Sequence, residues 1–85
     1  MEHYIAVFKS RSEAFSYANN LTRNGVASQI IQTPKEAGRT CGLAVKIMKD
    51  DIFVAREILS KSRALSFVGW LNEINFNGER RIIRG

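Results

Sequence analysis

The pattern of apolar and polar positions predicts four β-strands along the chain. Residues 3–9 are rich in β-branched and aromatic types and alternate between two sides, as strands do. The same features predict strands over 26–32, 42–48 and 65–74. The glycine and tryptophan at 69–70 predict a bulge or a close contact within the fourth strand.

Two segments between these strands carry apolar residues at helical spacing. Ser10 and Glu13 have the spacing of a capping box, so a helix is expected to begin there and to end at the Asn-Gly pair at 24–25. Asp50-Asp51 opens a second helix with negative charge at its positive end, and this helix is expected to close near Ser62. The predicted buried stripes are Ala14, Tyr17, Ala18 and Leu21 on the first helix, and Ile52, Ala55, Ile58 and Leu59 on the second.

The resulting order, βαββαβ, predicts an α+β, ferredoxin-like fold in which a four-stranded antiparallel sheet carries both helices on one face. A single domain over residues 1–74 is expected, followed by a basic C-terminal extension over 75–85. Tyr4, Phe8 and Trp70 are expected on the face without helices. Aromatic residues there would support a homodimer or be covered by the extension.

Composition agrees with a globular domain. The chain has 85 residues, of which 45% are hydrophobic and 25% are charged, a balance that excludes disordered and coiled-coil proteins. No apolar run approaches the roughly 18 to 20 residues of a membrane span, and the start of the chain lacks the pattern of a signal peptide. A cytoplasmic protein without a membrane partner is expected.

The net charge of +5 permits nucleic acid as a partner without requiring it. The basic residues are spread over both halves of the chain, and the one local concentration is Arg80, Arg81 and Arg84. RNA-recognition modules of this topology carry aromatic residues on the third strand, where this chain has the aromatic-free run GLAVKIM at 42–48. Nucleic-acid binding is therefore expected to be weak if it occurs.

The chain has one cysteine, Cys41, and one histidine, His3. A single cysteine forms no internal disulfide and no zinc site, so neither a metal nor a cofactor is expected. No phosphate-binding loop, nucleophile elbow or pair of carboxylates at catalytic spacing is present. The sequence favours a carrier or a binding protein over a stand-alone enzyme.

Residues 33–42 contain the candidate chemistry, and we call this segment the Cys41 loop. Thr33, Pro34 and Glu36 have the spacing of a second capping box, which predicts one helical turn before the cysteine. Lys35 and Arg39 are close in sequence to Cys41, and cations favour a thiolate over a thiol. Gly42 leaves the thiol open on one side, so a reactive cysteine is one interpretation.

A second interpretation makes Cys41 a packed residue. Cys41 is in phase with Leu43, Val45 and Ile47, so a strand that began slightly earlier would direct the thiol into the core. The protein would then be a non-catalytic interaction module.

Two tetrapeptides resemble a known family. The run Thr33-Pro34-Lys35-Glu36, the run Cys41-Gly42-Leu43-Ala44 and the opening strand over residues 4–10 are similar to a family of small bacterial domains of unknown function described as selenium/sulfur carriers. The similarity covers roughly residues 4–72. Two features depart from the family: Ala37-Gly38-Arg39-Thr40 stands where small hydroxyl residues are usual, and residues 75–85 extend beyond the usual end.

The resemblance implies that Cys41 holds sulfur or selenium as a persulfide or selenopersulfide. It also implies that Thr33, Pro34, Glu36 and Gly42 frame the thiol, and Arg39 adds a cation to that frame. The expected partners are proteins that donate and accept the sulfur or selenium atom.

Overall fold

The computed structural model describes the whole chain from Met1 to Gly85 and contains five strands and two α-helices. The elements are β1 (Glu2–Phe8), α1 (Arg11–Arg23), β2 (Ser28–Gln32), β3 (Leu43–Met48), α2 (Ile52–Lys61), β4 (Phe67–Phe76) and β5 (Glu79–Arg84). Single 3-10 turns occupy Lys35–Ala37 and Lys49–Asp51. The predicted order βαββαβ is confirmed, and β5 is an additional strand. Neither helix has the length and apolar character needed to cross a membrane.

All five strands form one antiparallel sheet in the order β2-β3-β1-β4-β5. The first four strands have the ferredoxin-like arrangement, in which β3 lies between β1 and β2. The expected four-stranded sheet is extended by β5, which pairs with β4 and includes most of the segment expected to be an extension. Asn77 and Gly78 both have positive φ, +51° and +81°, which is the conformation of a two-residue hairpin turn.

The first helix starts as predicted at the cap Ser10, whose hydroxyl accepts a hydrogen bond from the Glu13 N–H at 3.3 Å. The second half of the predicted capping box differs, because the Glu13 carboxylate accepts hydrogen bonds from the N–H and hydroxyl of Ser66. These bonds hold the pKa of Glu13 below its usual range. Glu13 therefore ties α1 to the segment before β4 and does not return to its own cap.

Both helices cover one face of the sheet, which we call the helix face, as predicted. The apolar stripes of α1 and α2 pack against Ala6, Phe8, Val45 and Ile47. The Tyr17 hydroxyl donates a 2.7 Å hydrogen bond to the carbonyl of Ala55, joining the two helices, and burial raises the pKa of Tyr17 well above its usual value.

The expected location of the aromatic residues is wrong. Phe8 is buried in the core of the helix face, and Tyr4 and Trp70 pack against that core. Both rows of β1 are apolar, so alternation alone does not decide which row faces the helices. The register decides it, because Tyr4 and Ala6 pair with Ile47 and Val45 of the row that the helices cover.

The opposite side of the sheet, the helix-free face, has a smaller apolar cluster. It consists of Ile5, Val7, Ala44 and Leu71, and all four are buried. Ile31, Ala37 and Ile82 pack against this cluster. Side chains from β2, from the Cys41 loop and from β5 thus partly shield this cluster from solvent.

A bulge interrupts the pairing of β1 with β4, as the glycine at 69 predicted. Val7 pairs with Gly69, whereas Phe8 pairs with Phe67, so Val68 has no partner on β1. The extra residue lets Phe67 and Trp70, which are three apart, both pack on the helix face.

Candidate functional site

The Cys41 loop joins β2 to β3 and is closed at its base by a backbone hydrogen bond. The Thr33 N–H donates to the Gly42 carbonyl at 2.9 Å, which extends the β2–β3 ladder by one pair. The Cys41 N–H reaches the Phe8 carbonyl at 3.5 Å. Cys41 is therefore held beside Phe8, the last residue of β1. Phe8 is two residues before Ser10, the cap of α1.

The turn within this loop starts later than predicted, and the predicted capping box is wrong. Pro34 is the cap residue of the turn Lys35–Ala37, and no side chain caps it. Thr33 is held in the ladder by its own N–H, and its buried hydroxyl has no hydrogen-bond partner. Pro34 has an extended ψ of 147°, so the helical conformation begins only at Lys35.

Two residues anchor the loop on the sheet. Pro34 is buried, and Ala37 packs against the apolar cluster of the helix-free face. Between and after these anchors, Glu36 and Arg39 are exposed and form no hydrogen bond or ion pair. The loop therefore has a fixed inner side and a charged outer side with free Glu36 and Arg39 side chains.

Cys41 itself is half-buried and carries a free thiol. Its Sγ donates to the Leu43 carbonyl at 3.4 Å, and neither Lys35 nor Arg39 forms a hydrogen bond to it. Leu43 packs against the core of the helix face. The thiol is thus half-buried beside the backbone of a residue whose side chain packs on the core.

Gly42 follows the cysteine with a φ of +89°, a conformation that other residues adopt with strain. Its N–H donates to the Thr40 hydroxyl at 3.1 Å. A Cβ built at Gly42 would meet no heavy atom within 4 Å. The backbone conformation accounts for this glycine, and the space beside it is open.

No cavity of the molecule is lined by Cys41. A cavity of about 80 Å³ lies next to the loop, between Ala37, Val7, Leu71 and Arg84. This volume accommodates only a few water molecules. The cavity next to the loop does not include the thiol.

Sequence reasoning missed one cluster of charges on the helix-free face. Glu73 is 2% exposed, and its carboxylate lies 2.7 Å from Lys46 Nζ and 2.6 Å from Arg80 Nε. Burial raises the pKa of Glu73, but the hydrogen bonds and charges of Lys46 and Arg80 outweigh burial and hold the pKa below its usual range. His3 Nδ1 is 3.5 Å from the same carboxylate.

The composition of this cluster indicates a structural role. No three His, Cys, Asp or Glu side chains converge anywhere in the molecule in a way that could hold a metal ion. The carboxylate of Glu73 is already paired with the cations of Lys46 and Arg80. The four residues of the cluster come from β1, β3, β4 and β5. The sequence contained one signal for this cluster. Along β4, Glu73 points to the same side as the apolar Leu71, whereas Asn72 and Ile74 point to the opposite side.

Comparison with known proteins agrees with the resemblance seen in the sequence. No curated protein and no solved structure matches the chain. The model of the family described as "Putative Se/S carrier protein-like" matches residues 3–67, which extend from β1 to the start of β4 and include the whole Cys41 loop. The chain belongs to the Se/S carrier protein-like family.

Proposed function

We propose that this protein carries a sulfur or selenium atom on Cys41 and passes it from a donor protein to an acceptor protein. The observation that carries the proposal is the position of the only cysteine. It lies in the family-matched region, half-exposed, in a loop that is anchored on the sheet and open beside Gly42.

The chemistry requires only thiolate exchange. The Cys41 thiolate attacks the terminal sulfur of a donor persulfide, a new S–S bond forms, and the donor leaves as a thiolate. An acceptor thiolate then attacks the terminal sulfur on Cys41, and Cys41 leaves as a thiolate. The sulfur atom moves with its oxidation state unchanged, so the cycle needs no oxidant. Selenium follows the same steps as a selenopersulfide.

The surroundings of the thiol favour protein partners. Cys41 lines no cavity, so the atom arrives on another protein's reactive group that reaches the loop from solvent. In this proposal Pro34 and Thr33 hold the base of the loop, and Gly42 keeps the approach open. The exposed Glu36 and Arg39 contact the donor or acceptor.

Mass spectrometry tests the proposal directly. Purified protein is incubated with a cysteine desulfurase and cysteine, and Cys41→Ser serves as the matched blank. We expect a gain of about 32 Da on Cys41, or about 79 Da when the donor supplies selenium, and removal of the added mass by a thiol reductant. An unmodified Cys41 under conditions in which the desulfurase itself carries a persulfide would contradict the proposal.

A second candidate function is supported by the contact between the Cys41 thiol and the Leu43 carbonyl. A thiol held by that contact would be a structural residue of a non-catalytic interaction module. The rate of alkylation of the native protein between pH 5 and 10 separates the two functions. Fast alkylation at neutral pH supports the carrier, whereas alkylation that requires denaturant supports the structural residue.

A further inference from the structure

The two edge strands of the sheet differ in charge. Four of the six residues of β5 are charged, whereas β2 has the sequence SQIIQ without a charge, proline or glycine. Edge strands are usually protected from pairing with other chains by charges, prolines or bulges. The edge formed by β2 has none of these. Because the chain has a net charge of +5, an uncharged edge is where a second copy can approach with little electrostatic repulsion.

The backbone groups of β2 are arranged for further pairing. Because Thr33 donates to the Gly42 carbonyl, the alternation of an antiparallel ladder directs the N–H and C=O groups of Gln29 and Ile31 toward β3. The same alternation directs those of Ser28, Ile30 and Gln32 outward. None of these outward groups has a backbone partner elsewhere in the molecule.

We propose that β2 pairs antiparallel with β2 of a second copy, about a twofold axis at Ile30. In this register Ile30 faces Ile30 of the second copy, and Ser28 faces Gln32. The residues whose backbone groups point away from β3 then face each other across the two strands. Each of their N–H and C=O groups can therefore form a hydrogen bond with the second copy. The two five-stranded sheets become one continuous sheet.

The side chains at this edge fit the same register. Ile30 is half-buried against the core of the helix face, and in the dimer its remaining surface lies against the same residue of the second copy. Ile31 packs with the apolar cluster of the helix-free face and comes next to Gln29 of the second copy. Cross-strand contacts of this kind add to the backbone pairing on both faces.

The dimer leaves the thiols free. Since each Cys41 loop follows the C-terminal end of β2, antiparallel pairing puts the two loops at opposite ends of the paired strands. Both Cys41 residues then remain open to other proteins. The proposal does not depend on the carrier function, because pairing at β2 requires no chemistry at the thiol.

The mass in solution tests the pairing. Sedimentation equilibrium is run in the presence of reductant, from micromolar to submillimolar protein. At the highest concentrations it is expected to give twice the chain mass of 9.6 kDa. Reductant excludes a disulfide through Cys41. A monomer over the whole range would overturn the proposal.

Charge variants test the strand and the register. Ser28→Lys with Gln32→Lys puts like charges opposite each other at both ends of the pair, and we expect association to weaken at least about tenfold. Ser28→Lys with Gln32→Glu opposes unlike charges in the same register and is expected to restore association. Ser60→Lys with Leu65→Lys adds two charges away from β2 and is expected to leave association unchanged.

Circular dichroism verifies that each variant is folded. An unchanged dimer in Ser28→Lys with Gln32→Lys would overturn pairing through β2. Failure of Ser28→Lys with Gln32→Glu to recover, while the protein remains folded, would overturn the register about Ile30.

Discussion

Glu73 is the charged side chain that is most deeply buried, and its partners come from three other strands. A carboxylate at 2% exposure is stable only when it is paired, since an unpaired buried charge costs several kcal/mol. Lys46 of β3, Arg80 of β5 and His3 of β1 surround it. The cluster therefore fixes the relative positions of four strands on a face that no helix covers.

Replacement of Glu73 by Gln is expected to lower the free energy of unfolding by about 1 to 3 kcal/mol. The change keeps the shape of the side chain but removes the charge that Lys46 and Arg80 bind, and hydrogen bonds to charged groups contribute on this order. Urea unfolding at pH 7 measures the loss. Glu57→Gln, which breaks the exposed pair with Lys61, is the control and is expected to cost less than about 0.5 kcal/mol. Equal losses in both variants would contradict the role given to Glu73.

The pKa of Glu73 also predicts how stability depends on pH. Because its pKa is lower in the folded state than the ordinary value of 4.5, the unfolded chain binds more protons at acidic pH. The stabilisation is therefore complete above pH 4.5 and is lost as the pH falls through the folded-state value. Glu13 contributes in the same direction. Unfolding between pH 2 and 7 is expected to show a shallower acid loss in Glu73→Gln than in the wild type, and parallel curves would exclude this assignment.

At the scale of elements, the helices and the first four strands were predictable, because their apolar spacing and turn residues are unambiguous. β5 was not predicted, since the run Glu79–Arg84 does not alternate between apolar and polar residues. The Asn77-Gly78 pair before it is a strong hairpin signal and could have identified the strand. The choice of face for β1 depended on register, and so did the position of Glu73. Register is a property of paired strands that one strand's pattern does not contain.

The Cys41 loop illustrates the same limit. Its single turn before the cysteine followed from the sequence, as did the position of Cys41 just before a strand. The capping by Thr33 did not form, because Thr33 remains in the β2–β3 ladder. The packing of Ala37 on the helix-free face is a contact between residues far apart in sequence, which local spacing does not predict.

The two isoleucines of β5 provide a test of its register. Ile82 packs against the apolar cluster of the helix-free face, whereas Ile83 points to the other side and is 52% exposed. Ile82→Ala is expected to cost about 1 to 2 kcal/mol, less than a fully buried isoleucine because the residue is half-buried. Ile83→Ala removes the same atoms from the neighbouring position and is expected to cost less than half as much. Chemical denaturation of the two variants measures the difference, and a larger loss at Ile83 would place β5 in the opposite register.

At the scale of the whole molecule, the packing of the aromatic residues limits what the sheet can bind. Tyr4, Phe8, Phe67 and Trp70 pack together with Tyr17 on the helix face. The helix-free face carries aliphatic residues and the Glu73 cluster. Proteins that read single-stranded RNA on a sheet stack its bases on exposed aromatic residues of that sheet. The helix-free face has no exposed aromatic residues on which bases could stack. The interaction with nucleic acid that remains is the attraction of a chain with net charge +5 to phosphates.

Binding to a single-stranded oligonucleotide is therefore expected to be weak, indifferent to sequence and steeply dependent on salt. Arg80 is bound by Glu73, so the exposed Arg81 and Arg84 are the cations of β5 that remain for phosphates. Replacing both by Gln is expected to reduce the slope of log K against log salt by roughly 1.4, since each phosphate contact to a single strand contributes roughly 0.7. Arg11→Gln with Arg23→Gln removes the same charge from the ends of α1 and is the matched control. Fluorescence anisotropy at several salt concentrations measures both slopes. Tight binding to one sequence at physiological salt, or equal slopes in the two double variants, would contradict a phosphate contact through β5.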